Sequence, residues 1–161
     1  MSFSRIYIVS LIALLFISCN KEDKPSKKII PGPLKVEIIK DGDSYKLLKD
    51  GKDFYIKGAG CEHGNISSLS KHGANSFRTW RTDNKLHTGK EVLDIALENN
   101  LVVTMGLEIS RERHGFDYND EAAVAKQFEE VKTQILKYKD HPALLMWAVG
   151  NELNLRATNP K

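Results

Sequence analysis

Cysteine and histidine are scarce in this sequence, and their spacing excludes the commonest structural metal centre. The 161 residues include 2 cysteines and 5 histidines. They form neither a His-Glu-x-x-His sequence nor a close Cys/His set. Spacings of that kind bring the ligands of a zinc ion together. We therefore expect no zinc site, and no other motif implies a metal or an organic cofactor.

The sequence also lacks a concentration of charge of one sign. Its formal net charge of +3 is spread along a chain that is 41% hydrophobic and 28% charged, as in ordinary globular proteins. The densest basic stretch, Lys21–Lys28, contains Glu22 and Asp23. This distribution is unlike the basic stripe of a nucleic-acid surface. Nucleic acid is therefore not an expected partner.

No apolar run reaches the roughly 20 residues that a membrane-spanning helix needs. The longest, Ile6–Ile17, follows Arg5 and suits the core of a signal peptide at residues 1–18. It leads into Ser18-Cys19, which resembles the lipobox of bacterial lipoproteins; a plain signal peptide is the alternative. Lipidation of Cys19 would leave Cys61 as the remaining cysteine, so no intrachain disulfide is expected.

Residues 19–33 are polar and rich in lysine, which predicts a flexible tether before a domain at residues 34–161. The tether begins with Asn20-Lys21-Glu22-Asp23, which looks like the export tag of some cell-surface lipoproteins. The resemblance implies a protein held by Cys19 to the outer membrane or the cell surface. Acyl chains contribute roughly 0.8 kcal/mol for each buried methylene group.

Short antiparallel strands are predicted at the start of the domain. Alternating residues around Val36 indicate one strand. The sequence Asp50-Gly51, which favours a tight β-turn, lies between strand candidates at Tyr45–Leu48 and Phe54–Lys57. These strands are too few to form a domain by themselves.

From residue 54 onward the pattern becomes α/β. Strands are predicted at Phe54–Ala59, Asn75–Trp80, Leu101–Leu107 and Leu144–Val149, with helices at Ile66–His72, at Lys90–Asn99 and from an N-cap at Asn119 to before Pro142. Such alternation argues for a parallel sheet. A closed (β/α)8 barrel takes about 250 residues. We expect the N-terminal half of a TIM barrel, about four βα units, preceded by a short β-hairpin region. A complete four-stranded doubly wound domain is the alternative.

Polar residues gather where the predicted strands end, which is where parallel α/β proteins carry their sites. They are Glu62, His63, Arg78, Trp80, Glu108, Asn151 and Glu152. The segment Gly58–His63 is similar to a dinucleotide-binding loop, but His63 occupies the position of its third glycine. A dinucleotide is therefore not expected.

The segment Leu144–Glu152, with the sequence LLMWAVGNE, is similar to the fourth-strand motif of a large clan of retaining glycoside hydrolases. Within this clan the segment most resembles the catalytic domain of glycoside hydrolase family 2; a compact single-barrel member or a relative among the endo-acting families of the clan is the alternative. The segments 50–58 and 73–78 resemble the entry to its first strand and its arginine-bearing second strand, so the resemblance covers residues 45–154. Thr79–Thr82 departs from the Ser/His-Tyr-Pro usual in the family, and no large β-sandwich domains precede the barrel.

The resemblance implies roles for individual residues. Glu152 corresponds to the general acid/base, Asn151 to the ligand of the sugar 2-hydroxyl, and Arg78 to an arginine that braces the nucleophile. The nucleophile would follow the seventh strand, beyond residue 161. Trp80 is a candidate for stacking on a sugar ring; His63 and His114 are candidates for substrate contacts. Glu108 is expected to have a structural role, and Trp147 to pack in the core.

The expected function is hydrolysis of a β-linked oligo- or polysaccharide by double displacement. One carboxylic acid protonates the leaving oxygen while a second carboxylate, about 5 Å away, attacks the sugar. The first half alone is expected to be inactive. A non-catalytic carbohydrate-binding surface lipoprotein and a transglycosylase of the same clan are the alternatives.

Overall fold

The structure is a computed structural model that describes residues 31–62 and 64–157. The signal peptide predicted at residues 1–18, the lipidation site Cys19 and most of the tether lie outside the described residues. So does His63, one of the predicted substrate contacts.

The described chain forms two sheets and three α-helices. The strands are β1 (Val36–Asp41), β2 (Ser44–Lys49), β3 (Lys52–Asp53), β4 (Gly58–Gly60), β5 (Ser76–Arg78), β6 (Val102–Leu107) and β7 (Leu144–Val149). The helices are α1 (Ile66–Lys71), α2 (Gly89–Glu98) and α3 (Glu121–Tyr138), with a short 3-10 turn at Glu112–His114.

Strands β1, β2 and β3 form an antiparallel sheet in that order. Asp50 and Gly51 connect β2 to β3, and both have the positive φ values, 50° and 74°, of a tight turn. The strand predicted at Phe54–Lys57 is wrong, because β3 ends at Asp53. Asn75 engages this segment instead: its Oδ1 accepts from the Lys57 N–H at 2.8 Å, and its Nδ2 donates to the Tyr55 carbonyl at 2.7 Å.

Strands β4, β5, β6 and β7 form a parallel sheet in chain order. The predicted α/β class with a parallel sheet is therefore confirmed. Every residue of β6 is buried or half-buried, as expected for a strand covered on both faces. A doubly wound sheet reverses its strand order at one point, and the four strands described here show no reversal.

The helices begin at identifiable caps. Thr88 and Glu91 form a capping box at α2, in which each side chain binds the other residue's backbone N–H. The predicted N-cap of α3, Asn119, is wrong by one residue. Asp120 is the cap because its side chain accepts from Ala123 N–H, whereas the Asn119 N–H binds Asp117 Oδ1.

The main core lies between the parallel sheet and the helices. Phe77, Val103 and Met105 point to this side and pack with Leu93 and Ala96 of α2. Burying a large apolar side chain stabilises a fold by about 1.5–3 kcal/mol. Trp147 packs against the same cluster, which confirms the predicted core role.

The opposite face of the parallel sheet is lined by smaller and more polar residues. The strand register places Gly60, Arg78 and Thr104 side by side, and Gly58 beside Ser76. Residues paired in this way project from the same face. We call this the inner face. No helix within residues 31–62 and 64–157 is long and apolar enough to cross a membrane.

The capping box generates a pH-dependent prediction. Hydrogen bonds from the backbone N–H and hydroxyl of Thr88 lower the pKa of Glu91. A carboxyl whose pKa is lower in the folded state stabilises the fold above its unfolded pKa of about 4.3. That contribution disappears as the pH falls through the folded pKa. In urea denaturation at a series of pH values, Glu91→Gln should therefore be less stable than wild type at pH 7. The gap should close below about pH 4, and a gap independent of pH would contradict this account.

Candidate functional site

The carboxyl ends of β4 to β7 form one edge of the parallel sheet, which we call the carboxyl edge. Arg78 is the last residue of β5, and Asn151 follows β7 by two residues. Although 73 positions separate them, Arg78 Nη2 donates to Asn151 Oδ1 at 3.0 Å. Two residues singled out from the sequence are thus in direct contact.

Trp80 joins this pair. The Arg78 guanidinium carbon lies 5.7 Å from the centroid of the Trp80 ring, a cation–π distance. The ring also lies over Gly60, where an added Cβ would be 2.9 Å from Trp80 Cη2. Glycine at position 60 therefore leaves the space that the indole occupies.

Two polar atoms near this contact lack partners. Arg78 Nε and Ser76 Oγ are buried and form no hydrogen bond with any described residue. Leaving a buried donor unpaired costs about 1–3 kcal/mol, and more for a charged group. The inner face thus presents hydrogen-bonding capacity that the described residues do not use.

Arg81, not Arg78, pairs with the acids that follow β4 and β6. Its Nε lies 3.0 Å from Glu62 Oε1, and its Nη1 lies 3.7 Å from Glu108 Oε2. Among the described residues, neither Glu62 nor Glu108 forms an ion pair with Arg78. Arg81 links the ends of β4 and β6. The structural role expected for Glu108 stays a prediction, because its contact with Arg81 is an exposed pair at 3.7 Å.

A close backbone crossing sets the positions of Trp80 and Arg81. The buried Thr79 hydroxyl donates to the Arg81 carbonyl at 2.8 Å and accepts from the Gly106 N–H at 3.0 Å. A Cβ at Gly106 would lie 2.2 Å from the Trp80 carbonyl carbon. The chain after β5 therefore crosses against β6 where glycine leaves room for it.

Glu152 lies beside Asn151 in sequence, but its side chain turns to a different partner. Its φ is +51°, and its carboxylate, 59% exposed, lies 3.3 Å from Nη2 of Arg113. Arg113 also donates to the Glu152 carbonyl. Among the described residues, Glu152 thus pairs with Arg113 rather than with Arg78.

Two clefts open at the carboxyl edge. The first, about 430 Å³, is lined by Gly60, Cys61, Glu62, Trp80, Arg81 and Arg111. The second, about 340 Å³, includes Glu108, Arg111 and His114 in its lining. Arg111 borders both clefts, and the exposed His114 borders only the second.

A larger groove of about 700 Å³ lies away from this edge, against the C-terminal halves of α2 and α3. Three of its ionisable groups pair with one another: Asp94 binds Lys90 at 2.6 Å and His141 at 3.1 Å. The Lys90 hydrogen bond, assisted by His141, lowers the pKa of Asp94. Volume alone therefore does not identify the site, and the unused polar groups are at the carboxyl edge.

Three arginines of this edge, Arg81, Arg111 and Arg113, were not predicted as site residues. Two of them lie in the sequence Arg111-Glu112-Arg113-His114, just after β6. The alternating charges of this sequence, shortly after a buried strand, are the signal from which these two arginines could have been predicted. Within the described ranges, no group of three His, Cys, Asp or Glu side chains is arranged to hold a metal ion.

No protein-family model and no curated protein sequence matches this chain. The chemistry of the carboxyl edge follows from its own side chains, which combine an amide, an indole, guanidinium groups and carboxylates. Amides and guanidinium groups bind hydroxyl and anionic oxygens, while an indole covers an apolar ring face. Such a set suits a polyhydroxylated ligand.

The crossing at Gly106 generates a stability prediction. Gly106→Ala should lower the free energy of unfolding by about 3 kcal/mol, because the new Cβ displaces the Trp80 backbone. Gly32→Ala is the matched control, since a Cβ there meets nothing within 4 Å. Urea denaturation of both variants measures the difference. Equal stability of the two would show that the crossing is looser than described.

Proposed function

We propose that this chain contributes the acid/base half of a retaining glycoside hydrolase that cleaves a β-linked glycan. The observation that carries the proposal is the Arg78–Asn151 contact of 3.0 Å beside Trp80, with Glu152 next in the chain. The likeness of Leu144–Glu152 to a glycoside hydrolase motif assigns Asn151 to the substrate and Glu152 to catalysis, and the likeness of segment 73–78 assigns Arg78 to the brace of the nucleophile. Trp80 is a stacking candidate by its residue type alone.

Each residue has a role that its chemistry permits. Glu152 protonates the oxygen of the leaving sugar and then, as a carboxylate, activates water in the second step. Asn151 binds a hydroxyl of the sugar at the cleaved bond. Trp80 supplies the aromatic surface in the first cleft on which a sugar ring can pack.

The unpaired Arg78 Nε supports a role for a second carboxylate. The nucleophile, supplied by polypeptide beyond residue 161, would accept a hydrogen bond from this atom, which is buried and without a described partner. A guanidinium beside the nucleophile favours its ionised form. Repulsion between two close carboxylates favours the protonated form of the acid.

Arg113 can orient the carboxylate of Glu152. Its Nη2 lies 3.3 Å from Glu152 Oε2, and its Nη1 donates to the Glu152 carbonyl. The first step requires Glu152 to leave Arg113 and accept a proton once the second carboxylate and the substrate are bound.

The same proposal extends to the fold, as the first four units of a (β/α)8 barrel. Strand order β4-β5-β6-β7 is the order in such a barrel, and β4 and β7 each have one neighbour among the described strands. On α3, Phe128 and Leu136 are 64% and 57% exposed. Further βα units would pair the open strand edges and cover apolar surface of this kind.

We also propose that the domain at residues 34–161 is held to the outer membrane or cell surface through lipidated Cys19. The support is the sequence alone: a short apolar run before Ser18-Cys19, then a polar segment. A tethered enzyme of this kind would act on glycans outside the cell.

The test is hydrolysis by the full-length mature protein with Glu152→Gln. The substitution should lower the rate on natural β-glycans by roughly 10²–10⁴-fold, the usual contribution of a general acid. It should lower the rate far less on aryl glycosides with acidic phenol leaving groups, because these need little protonation. Glu98→Gln is the matched control, since Glu98 is exposed at the C-terminal end of α2, away from the carboxyl edge, and its substitution should leave both rates nearly unchanged.

The products decide between the possible reactions. Retention of the β-anomer in the first product, followed by NMR, supports double displacement, and inversion contradicts it. Transfer to added sugar acceptors in preference to water would indicate a transglycosylase. Binding of glycans without any turnover would favour the carbohydrate-binding alternative and overturn the proposal.

A further inference from the structure

Arg111 lies between the two clefts of the carboxyl edge in a fixed orientation. It borders both clefts, and its Nε donates to the Asn151 carbonyl at 2.9 Å. A guanidinium has five N–H donors in a planar fork. This bond uses one of them, and none of the described residues accepts a hydrogen bond from the terminal Nη1 and Nη2 groups.

The charge of Arg111 is not compensated by a described carboxylate, unlike those of Arg81 and Arg113. Arg81 pairs with Glu62 and Glu108, and Arg113 pairs with Glu152. Within residues 31–62 and 64–157, the hydrogen bond of Arg111 to a neutral carbonyl replaces such a pair. The cleft that contains Trp80 is lined by one acid, Glu62, and by two arginines, Arg81 and Arg111. Because Glu62 pairs with Arg81, the charge of Arg111 remains.

This arrangement favours an anionic ligand. Arg111 is half-buried, and a partly desolvated cation is stabilised when an anion with matching geometry binds it. The guanidinium fork matches the two oxygens of a carboxylate or of a sulfate group. Trp80 in the same cleft offers an apolar face to the sugar ring that carries the group.

We propose that Arg111 binds the carboxylate or sulfate of an acidic sugar residue, so that the substrate class is an anionic β-linked glycan. This inference rests on the proposed glycosidase function. Arg111 is oriented by its hydrogen bond to the Asn151 carbonyl. The group that binds the anion therefore contacts the same loop that carries Glu152.

The first experiment uses small anions, which report on Arg111 without the correct glycan. In the full-length protein labelled with ¹⁵N-arginine, sodium glucuronate and sodium sulfate are titrated separately against a sodium chloride control. We expect a saturable shift of the Arg111 Nε–H resonance with at least one of the two anions, which also distinguishes carboxylate from sulfate. The same titration of Lys85→Gln, which removes an exposed charge from the segment after β5, should be unchanged. No shift beyond that in sodium chloride would overturn the proposal.

The second experiment compares matched neutral and acidic glycans by calorimetry. The sets are cellotetraose with its C6-oxidised and 6-sulfated forms, and mannotetraose with tetramannuronate. Arg111→Gln should weaken binding of the preferred acidic form by roughly tenfold and alter binding of the neutral form little. Lys85→Gln should change neither.

The outcomes separate this inference from the function on which it rests. Equal affinity for acidic and neutral forms, or an equal loss in Lys85→Gln, would overturn the role of Arg111 while leaving a glycosidase of neutral glycans. An anion response at Arg111 together with no glycan hydrolysis would instead count against the proposed function.

Discussion

The carboxyl edge depends on a backbone crossing that only glycine permits. Position 106 has no side chain, so the chain leaving β5 lies directly against β6, where a Cβ would be 2.2 Å from the Trp80 carbonyl carbon. The Thr79 hydroxyl bonds across this crossing to the Gly106 N–H. Because the crossing fixes the next two residues, it determines where the indole of Trp80 and the guanidinium of Arg81 lie. The first cleft exists as a consequence.

The charge distribution at this edge is determined by the partners of four arginines. Arg81 and Arg113 are neutralised by glutamates, whereas Arg78 and Arg111 bind the amide and carbonyl of Asn151. Asn151 can do this because it presents two acceptors, one in its side chain and one in its backbone. One neutral residue therefore orients two cations.

The α/β class with a parallel sheet could be predicted because it depends on local patterns. Continuous apolar strands such as β6 and polar residues after strand ends are visible in the sequence and are governed by periodicity. Arg78 and Asn151 were both predicted at strand ends, which meet at one edge of a parallel sheet, but their contact was not predicted.

Other features depend on partners distant in the chain and could not be predicted. The segment 54–57 has the composition of a strand, yet its backbone groups bind the side chain of Asn75. The residues of the segment itself do not indicate this contact, because Asn75 lies about 20 positions further along the chain. The choice of Arg81 rather than Arg78 as partner of Glu62 depends on the crossing at Gly106. Glu152 turns towards Arg113 because of a backbone conformation with φ of +51° that its residue type does not indicate.

The bonds of Asn75 also have a mechanical consequence. The chain enters through the antiparallel sheet β1-β2-β3 and reaches β4 by way of residues 54–57, which Asn75 clamps to the start of β5. A pulling force applied at the N-terminal side would therefore load the antiparallel sheet first. The two hydrogen bonds of the Asn75 amide would hold residues 54–57 in place while β1 and β2 separate. Tension applied from the N-terminal side would thus separate three short strands before it disturbs the carboxyl edge.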